Sequence, residues 1–272
     1  MSRLLPCLAA ALLAAALPSG ASAAAVNIDD CAADSSDAAL AACTYLIEQK
    51  NTSRADRATA YGERSWQYGH RGLWDRAVED ANTSIALDPT QTYAYELRSN
   101  AERMTGQYDK AFADAAEALR RDPKKADAYV DRGLLYDHRH DYDRAIADFN
   151  TALQFDKTLS DVHSFLGECF RAQQKYDQAL AEFTKGIALK KDGARPYIGR
   201  AATYAAMRDF PHAIADYTIA LQMHPDSARI LYARGSARFA AGDRTGGKAE
   251  IDRAFRLNRD VEKEVGWGID EP

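Results

Sequence analysis

Apolar and polar residues alternate along this chain with the spacing of amphipathic helices, and the helices come in pairs. Between residues 145 and 153, apolar side chains fall at i, i+4, i+7 and i+8, which is one stripe of a helix. A matching stripe lies upstream at 129–136. Short breaks such as 105–107 separate the helices of a pair, and Asp122-Pro123 ends a pair because proline cannot continue a helix. The pattern predicts an all-α chain.

The pairs repeat with a period of 34 residues. Small residues stand at this spacing at Ala77, Ala111, Ala145, Ala179, Ala213 and Gly247. Three positions before the first five of them stand the aromatic residues Trp74, Tyr108, Tyr142, Tyr176 and Phe210. Three positions after them stand the acidic residues Asp80, Asp114, Asp148, Glu182 and Asp216. Small residues at fixed points let two antiparallel helices approach closely, so each period predicts one packed helix pair.

This 34-residue unit, with its aromatic, small and proline positions, resembles the tetratricopeptide repeat (TPR) family. The resemblance implies a right-handed superhelical solenoid of antiparallel helix pairs. Arg244 and Gly247 replace the aromatic residue and the alanine of the sixth unit, which predicts a degenerate repeat that ends or caps the solenoid. A tail at 262–272 follows the six repeats expected at 58–91, 92–125, 126–159, 160–193, 194–227 and 228–261.

The N-terminus predicts export. Arg3 is followed by an alanine-rich apolar run to Leu17 and then by Pro18 and the small residues 21–23, which is typical of a secretory signal peptide. We expect residues 1–23 to be cleaved near Ala23 and the mature protein to be periplasmic. A retained membrane anchor is the alternative, but the run is shorter than the roughly 18 residues of a membrane span.

Three cysteines remain after cleavage, and an exported protein meets an oxidising environment. Residues 37–47 align with 143–153, which places Cys43 where Phe149 stands and predicts a half-repeat cap at 24–57. We expect a Cys31–Cys43 disulfide to hold this cap, a contribution of about 3 kcal/mol on the chain-entropy model. A redox-active pair is disfavoured because the two cysteines do not form a CxxC motif. This half-repeat and the repeats after it resemble exported bacterial members of the family.

Composition limits the function classes. The chain is 46% hydrophobic and 28% charged, and its net charge of −5 becomes −6 when Arg3 leaves with the signal peptide. Binding to nucleic acid phosphates requires clustered Lys and Arg, so a mildly acidic chain of mixed sign predicts no nucleic acid partner.

Candidate catalytic and metal-binding residues are explained by the repeat. The acidic residues described above recur in every unit and therefore belong to the scaffold. His138 and His140 are two residues apart near a helix end and do not face each other. Ser236 lies on a small-residue helix face and lacks the surroundings of a nucleophile elbow. We expect no enzymatic activity, no catalytic residues, no cofactor and no metal.

The resemblance places function in a concave groove, which the family lines with positions 2, 5, 9, 12 and 13 of each unit. Carried over to this sequence, these positions predict a partner-binding set formed by Trp66, Tyr93, Glu96, Asn100, Arg103, Asp127, Val130, Leu134, Tyr232 and Phe239. The chaperone-type members hold a partner's terminal carboxylate with Lys and Asn at positions 5 and 9. Gly62 and Trp66 occupy these positions in the first repeat, so we expect no such clamp.

The sequence therefore predicts a non-catalytic scaffold or adaptor of the bacterial cell envelope. Its partner would be an envelope protein that places an extended or helical segment in the groove, with aromatic side chains as anchors. A structural protein that self-associates end to end through the sixth repeat and the tail is the alternative. An enzyme would need a pocket outside the repeats, where few residues remain.

Overall fold

The computed structural model describes residues 26–190 and 192–264, and the regular structure in this part of the chain is entirely α-helical. The predicted signal peptide lies outside the described residues. No helix within them has the length and apolar character needed to cross a bilayer. The helices are α1 Ile28–Ala32, α2 Asp37–Glu48, α3 Arg54–His70, α4 Trp74–Leu87, α5 Thr92–Met104, α6 Tyr108–Arg121, α7 Ala126–His138, α8 Tyr142–Phe155, α9 Ser160–Ala172, α10 Tyr176–Leu189, α11 Ala194–Ala206, α12 Phe210–Met223, α13 Ala228–Ala240, α14 Arg244–Leu257 and α15 Val261–Glu264.

Six helix pairs, from α3–α4 to α13–α14, stack in chain order to form an all-α solenoid. The first helix of each pair also contacts the first helix of the next pair, so the first helices form the inner wall of the curve. The α3 helix starts at Arg54, four residues before the predicted start of the first repeat at 58. Ser53 fixes this start, because its Oγ accepts a hydrogen bond from the Asp56 amide at 3.0 Å.

Within each pair, the residues at positions 8 and 24 of the unit compensate for each other in volume. In the third repeat Gly133 faces Phe149, and a Cβ on this glycine would lie 2.6 Å from the phenylalanine ring. The first two repeats place Ser65 and Ser99 at position 8, opposite alanines at position 24. The two serine hydroxyls donate to the carbonyls of Ala77 and Ala111 at 2.7 and 2.9 Å. Both combinations fill the same interhelical space, which explains why position 8 varies among small residues.

An arginine at position 7 binds the carboxylate at position 23 of the same unit in five of the six repeats. We call each such pair a rung. The guanidinium makes two hydrogen bonds of 2.6 to 3.0 Å to the two carboxylate oxygens, a geometry that only arginine provides. The rungs are Arg64–Asp80, Arg98–Asp114, Arg132–Asp148, Arg200–Asp216 and Arg234–Glu250.

The rungs also join neighbouring repeats. The remaining guanidinium nitrogen of Arg98 donates to Asn82 of the preceding repeat at 2.7 Å, and that of Arg234 donates to Thr218 at 3.0 Å. In the fourth repeat Leu166 replaces the arginine, and Glu182 instead contacts His163 Nδ1 at 2.7 Å. The recurring acidic residues therefore belong to the scaffold because each stabilises a helix pair from within.

At the N-terminus, α1 and α2 pack on α3 in the place of a preceding repeat. Thr44 of α2 accepts a hydrogen bond from Arg64 at 3.3 Å, the role that Asn82 plays one repeat later. Cys31 and Cys43 are fully buried, with their Cα atoms 4.6 Å and their sulfurs 2.10 Å apart. Arg71 of α3 donates to the Ser35 carbonyl at 2.9 Å and fixes the loop between α1 and α2.

The sixth pair is as regular as the others, although the sequence predicted a degenerate repeat. The α14 helix has 14 residues, as the other second helices have, and Gly247 is required there rather than merely tolerated. A Cβ on Gly247 would lie 2.6 Å from the Gly235 carbonyl oxygen, and one on Gly235 would lie 2.8 Å from the Gly247 carbonyl oxygen. Two facing glycines thus allow α13 and α14 to approach with backbone against backbone.

We expect Gly247→Ala to lower the free energy of unfolding by about 1–3 kcal/mol, because the new methyl group would push the α13 backbone away. Gly246→Ala is the matched control. A Cβ at Gly246 would meet only the ends of the Arg238 and Asp243 side chains, which can move. The control should cost less than Gly247→Ala, because the higher helix propensity of alanine offsets part of the cost of moving the Arg238–Asp243 pair. Urea denaturation followed by circular dichroism measures both, and equal effects would contradict the close approach.

Candidate binding groove

Three of the large apolar side chains exposed along the first helices lie at groove positions. Tyr93 of α5 is 37% exposed, and Met104 at the end of the same helix and Phe239 of α13 are also exposed. Trp66 is half-buried and packs against His70 with ring centroids 3.8 Å apart. Trp66 and Asn100 of the next repeat line a hollow of about 280 Å³. The first half of the groove therefore presents aromatic surface to solvent.

Val130, Leu134 and Tyr232, which the sequence also assigned to the groove, are half-buried between repeats. Val130 and Leu134 pack against the core around Phe149. Tyr232 packs edge-on against Phe255 with ring centroids 5.8 Å apart. These residues support the groove wall and expose only part of their surface to a partner.

An acidic patch, formed by Glu63, Glu96, Asp127 and Asp131, lies on α3, α5 and α7. Burial raises the pKa of Glu96, and Oε1 of this side chain has no hydrogen-bond partner within the described residues. Its Oε2 lies 3.6 Å from Lys125 Nζ. Burial also raises the pKa of Asp131 to about 7, while Arg103 opposes that rise and Glu96 and Asp127 add to it. Arg103 itself donates to Asn100 at 2.9 Å. The first helices of the first three repeats therefore carry a concentration of acidic side chains.

The far half of the groove has the opposite charge. Arg195 of α11 and Arg229 of α13 line a second hollow of about 450 Å³, together with Ile198 and Ile230. Arg195 and Ile198 stand at positions 2 and 5 of the fifth unit, where the sequence already predicts groove residues, whereas Arg229 and Ile230 were not predicted. Arg229 occupies position 2 of the sixth unit, the same position as Tyr93 and Asp127 in earlier units. The 34-residue spacing could therefore have predicted it as a groove residue. The groove as a whole is acidic toward one end and basic toward the other.

The histidines considered as metal ligands have other partners. His138 stacks on Tyr108 with ring centroids 3.7 Å apart. His140 adopts a left-handed backbone conformation with φ of 58°, and its Nδ1 lies 2.8 Å from the Tyr142 hydroxyl. Within the described ranges, no three His, Cys, Asp or Glu side chains are placed to hold a metal ion together.

Glu102 is a buried acid that the repeat pattern does not require. It stands at position 11 of the second unit, where four other units carry Tyr68, Tyr136, Phe170 or Tyr204. The residue is 4% exposed, and its Oε2 has no hydrogen-bond partner among the described residues. Burial raises the pKa of Glu102 from 4.5 to about 7, and the nearby Asp114 carboxylate contributes to the rise.

This raised pKa predicts a pH-dependent stability. Between about pH 4.5 and pH 7 the folded chain keeps the Glu102 proton while the unfolded chain loses it, so stability falls as the pH rises through this window. Asp131, whose pKa burial also raises to about 7, contributes a similar fall. We therefore expect Glu102→Gln to reduce the fall rather than remove it and to be more stable than the parent at pH 8 by about 1–2 kcal/mol. Urea denaturation at pH 5 and pH 8 measures the difference. Glu79→Gln, at an exposed position on α4, should retain the parental pH dependence; an identical profile for both variants would refute the assignment.

The fold of the chain is similar to the folds of several proteins of known structure. The chain resembles Pseudomonas aeruginosa PilF with a TM-score of 0.66 and 20% identity over 78% of this chain and 97% of that one. It resembles the APC/C hetero-tetramer Cut9–Hcn1 with a TM-score of 0.74 and 12% identity, over 85% of this chain and 48% of that one. YrrB, described as a TPR protein with an unusual peptide-binding site, gives a TM-score of 0.52 and 18% identity over 69% and 98% of the two chains.

These similarities to solved structures concern the fold, and a search of curated proteins finds no match. The sequence model of the tetratricopeptide repeat matches residues 63–125, 97–159 and 198–256, more than half of the chain. TPR repeats generally mediate protein–protein interaction, and TPR proteins are generally non-catalytic scaffolds that bind protein or peptide partners. The chain belongs to the tetratricopeptide repeat family.

Proposed function

We propose that this protein is a non-catalytic scaffold that binds a segment of a partner protein in the concave groove. One observation carries the proposal: the groove surface varies from repeat to repeat while the packing beneath it is repeated. The rungs recur in five units, but the second position changes from aromatic to acidic to basic. In chain order it is occupied by Thr59, Tyr93, Asp127, Asp161, Arg195 and Arg229. A surface that carries different chemistry along one line suits an extended segment with side chains of different kinds.

Tyr93 and Phe239 provide the apolar contacts for such a segment. Both lie at groove positions and expose 37% and 47% of their surface. Aromatic side chains contribute disproportionately to protein interfaces, because they bury a large area at a small cost in conformational entropy. YrrB, a TPR protein of similar fold, is described as having a peptide-binding site, which supports the choice of a peptide as the ligand class.

We expect Tyr93→Ala combined with Phe239→Ala to abolish partner capture from a cell-envelope fraction. The matched control is Tyr45→Ala combined with Phe155→Ala, which removes the same residue types from second helices. Tyr45 and Phe155 are 47% and 44% exposed, so the two variants lose similar apolar surface. Quantitative mass spectrometry of the captured proteins compares the variants, and circular dichroism checks that both are folded. Equal loss of capture in the two variants would contradict the groove assignment.

We also propose that the protein acts in the bacterial envelope and that Cys31 and Cys43 are disulfide-bonded there. The signal-peptide pattern at residues 1–23 supports export. The buried positions of the two cysteines and their Cα separation suit a disulfide, which persists only in an oxidising compartment. N-terminal sequencing of protein purified from the periplasmic fraction should begin near Ala24; an unprocessed Met1 would exclude cleavage.

The alternative of end-to-end self-association would need an open surface at the last repeat. The short α15 helix covers part of that end, because it packs on α13 and buries Val261 completely. This arrangement favours a capped solenoid over a stacking one. Light scattering of the mature protein over a wide concentration range should give a constant monomer mass, whereas growth with concentration would support stacking.

A further inference from the structure

The second hollow of the groove has features that packing alone does not explain. It lies between α9, α11 and α13, with α12 behind it, and has a volume of about 450 Å³. Ala194, Ile198, Ile230 and Ala233 supply an apolar lining. Arg195 and Arg229 lie beside these residues, and Tyr217 of α12 lines the hollow from the second-helix side. We call this the basic hollow.

Tyr217 contributes a hydroxyl-bearing side chain to the wall of the basic hollow. The residue is 3% exposed, and its hydroxyl interacts electrostatically with Arg171 and Glu168 of α9. Burial raises the pKa of Tyr217, so the hydroxyl keeps its proton and remains a donor. Phe183 occupies the same position of the preceding unit and packs without a hydroxyl. A tyrosine hydroxyl at the wall of a hollow can donate a hydrogen bond to a ligand placed there, which Phe183 could not do.

The two arginines are also available to a ligand. Arg195 and Arg229 are exposed and form no ion pair within the described part of the chain. The acidic residue of the lining, Glu168, is already neutralised, because it accepts two hydrogen bonds from Arg171 at 3.1 and 2.6 Å. Arg195 lies over the Phe165 ring at 5.2 Å, which holds its side chain against the wall. The exposed charges of the basic hollow are therefore predominantly cationic: Arg195 and Arg229 have no acidic partner among the described residues, whereas Glu168 is paired with Arg171.

We propose that the basic hollow binds an acidic side chain, Asp or Glu, of the partner segment. The carboxylate would accept hydrogen bonds from the guanidinium groups of Arg195 and Arg229 and from the Tyr217 hydroxyl. An apolar neighbour in the segment would cover Ile198 and Ile230. This inference rests on the proposed function, since it assumes that the groove holds a peptide segment, and it adds the chemistry that selects the segment.

Selection from a library of random twelve-residue peptides displayed on phage, each joined to the coat protein by its C-terminus, tests the inference. Display through the C-terminus removes terminal carboxylates, so only side chains can supply the acid. Parent protein should enrich peptides that contain Asp or Glu next to an apolar residue. Arg195→Glu combined with Arg229→Glu should lose these peptides and enrich ones with Lys or Arg. Arg256→Glu combined with Arg259→Glu, an equal charge change at exposed positions outside the hollow, should select as the parent does.

Tyr217→Phe provides a second measurement that leaves packing and charge unchanged. A synthetic peptide from the parent selection should bind this variant about tenfold more weakly, because a hydrogen bond to a charged group is lost. Unchanged affinity for Tyr217→Phe, or enriched peptides without an acidic preference, would overturn the inference and leave the peptide-binding proposal standing. Failure of the parent to enrich any peptide would overturn both.

Discussion

Asp148→Ala is expected to lower the free energy of unfolding by about 3 kcal/mol, although it removes only three heavy atoms. Asp148 is 6% exposed and accepts hydrogen bonds of 2.7 and 2.8 Å from Arg132. Its removal would leave the guanidinium of Arg132 largely buried beside the second helix with no opposite charge. Losing one partner of a buried pair costs more than the pair contributes, because the remaining charge stays desolvated.

The control is Asp109→Ala, which removes an exposed ion pair. Asp109 lies 2.6 Å from Arg139, but the two side chains are 95% and 48% exposed, so this pair should contribute less than about 0.5 kcal/mol. Urea denaturation of the parent and both variants measures the difference. Arg132→Leu combined with Asp148→Leu should recover part of the loss, because the fourth repeat already carries Leu166 in place of the arginine. Equal costs for the two aspartates would contradict a structural role for the rungs.

Cys31→Ala combined with Cys43→Ala is expected to destabilise the α1–α2 cap by about 3 kcal/mol. The two cysteines are 12 positions apart, and closing a loop of this size restricts the unfolded chain by about that amount on the entropy model. Within residues 26–190 and 192–264, the cap packs mainly against α3 and forms a small core with Leu46 and Ala60. Without the disulfide that core has little to stabilise it.

Hydrogen exchange of α1 and α2 measures this loss locally, and the six repeats beyond α3 should keep their protection. Reducing agent should reproduce the effect in the parent and change nothing in the double variant. Mass spectrometry of unreduced peptides should show Cys31 joined to Cys43 and a free thiol at the buried Cys169. Free thiols at Cys31 and Cys43 in protein taken from the periplasm would refute the disulfide.

The architecture could be predicted from the sequence because a solenoid is determined by local, repeated contacts. Each unit packs on its neighbours, so the small residue at Ala145 and its equivalents give the helix pairs, and Asp122-Pro123 and similar breaks give their ends. The same regularity explained most acidic residues as scaffold. The arginines that bind them stand at the same 34-residue spacing from Arg64 to Arg234, but the pairing only becomes evident when the two helices lie side by side.

The features that could not be predicted depend on contacts between helices. The residue type at one position does not show which residue of the other helix it will contact. In the sequence, Gly247 suggests a weakened helix. In the structure, Gly247 faces Gly235 and allows the backbones of α13 and α14 to come close together. In the sequence Tyr217 looks like a core aromatic residue, and only the folded chain shows that it lines the same hollow as Arg195 and Arg229. The sequence predicts that Val130 and Leu134 lie on a first helix, as they do. Their partial burial depends on how the neighbouring helices pack around them, which the sequence does not show.

Hydrogen exchange of the mature protein, with and without a synthetic peptide that corresponds to the captured partner segment, shows whether the segment lies along the first helices. If it does, added protection is expected in α5, α7, α11 and α13, with no change in α6, α8 and α14. Protection confined to the second helices, or no protection at a saturating peptide concentration, would contradict this placement of the segment.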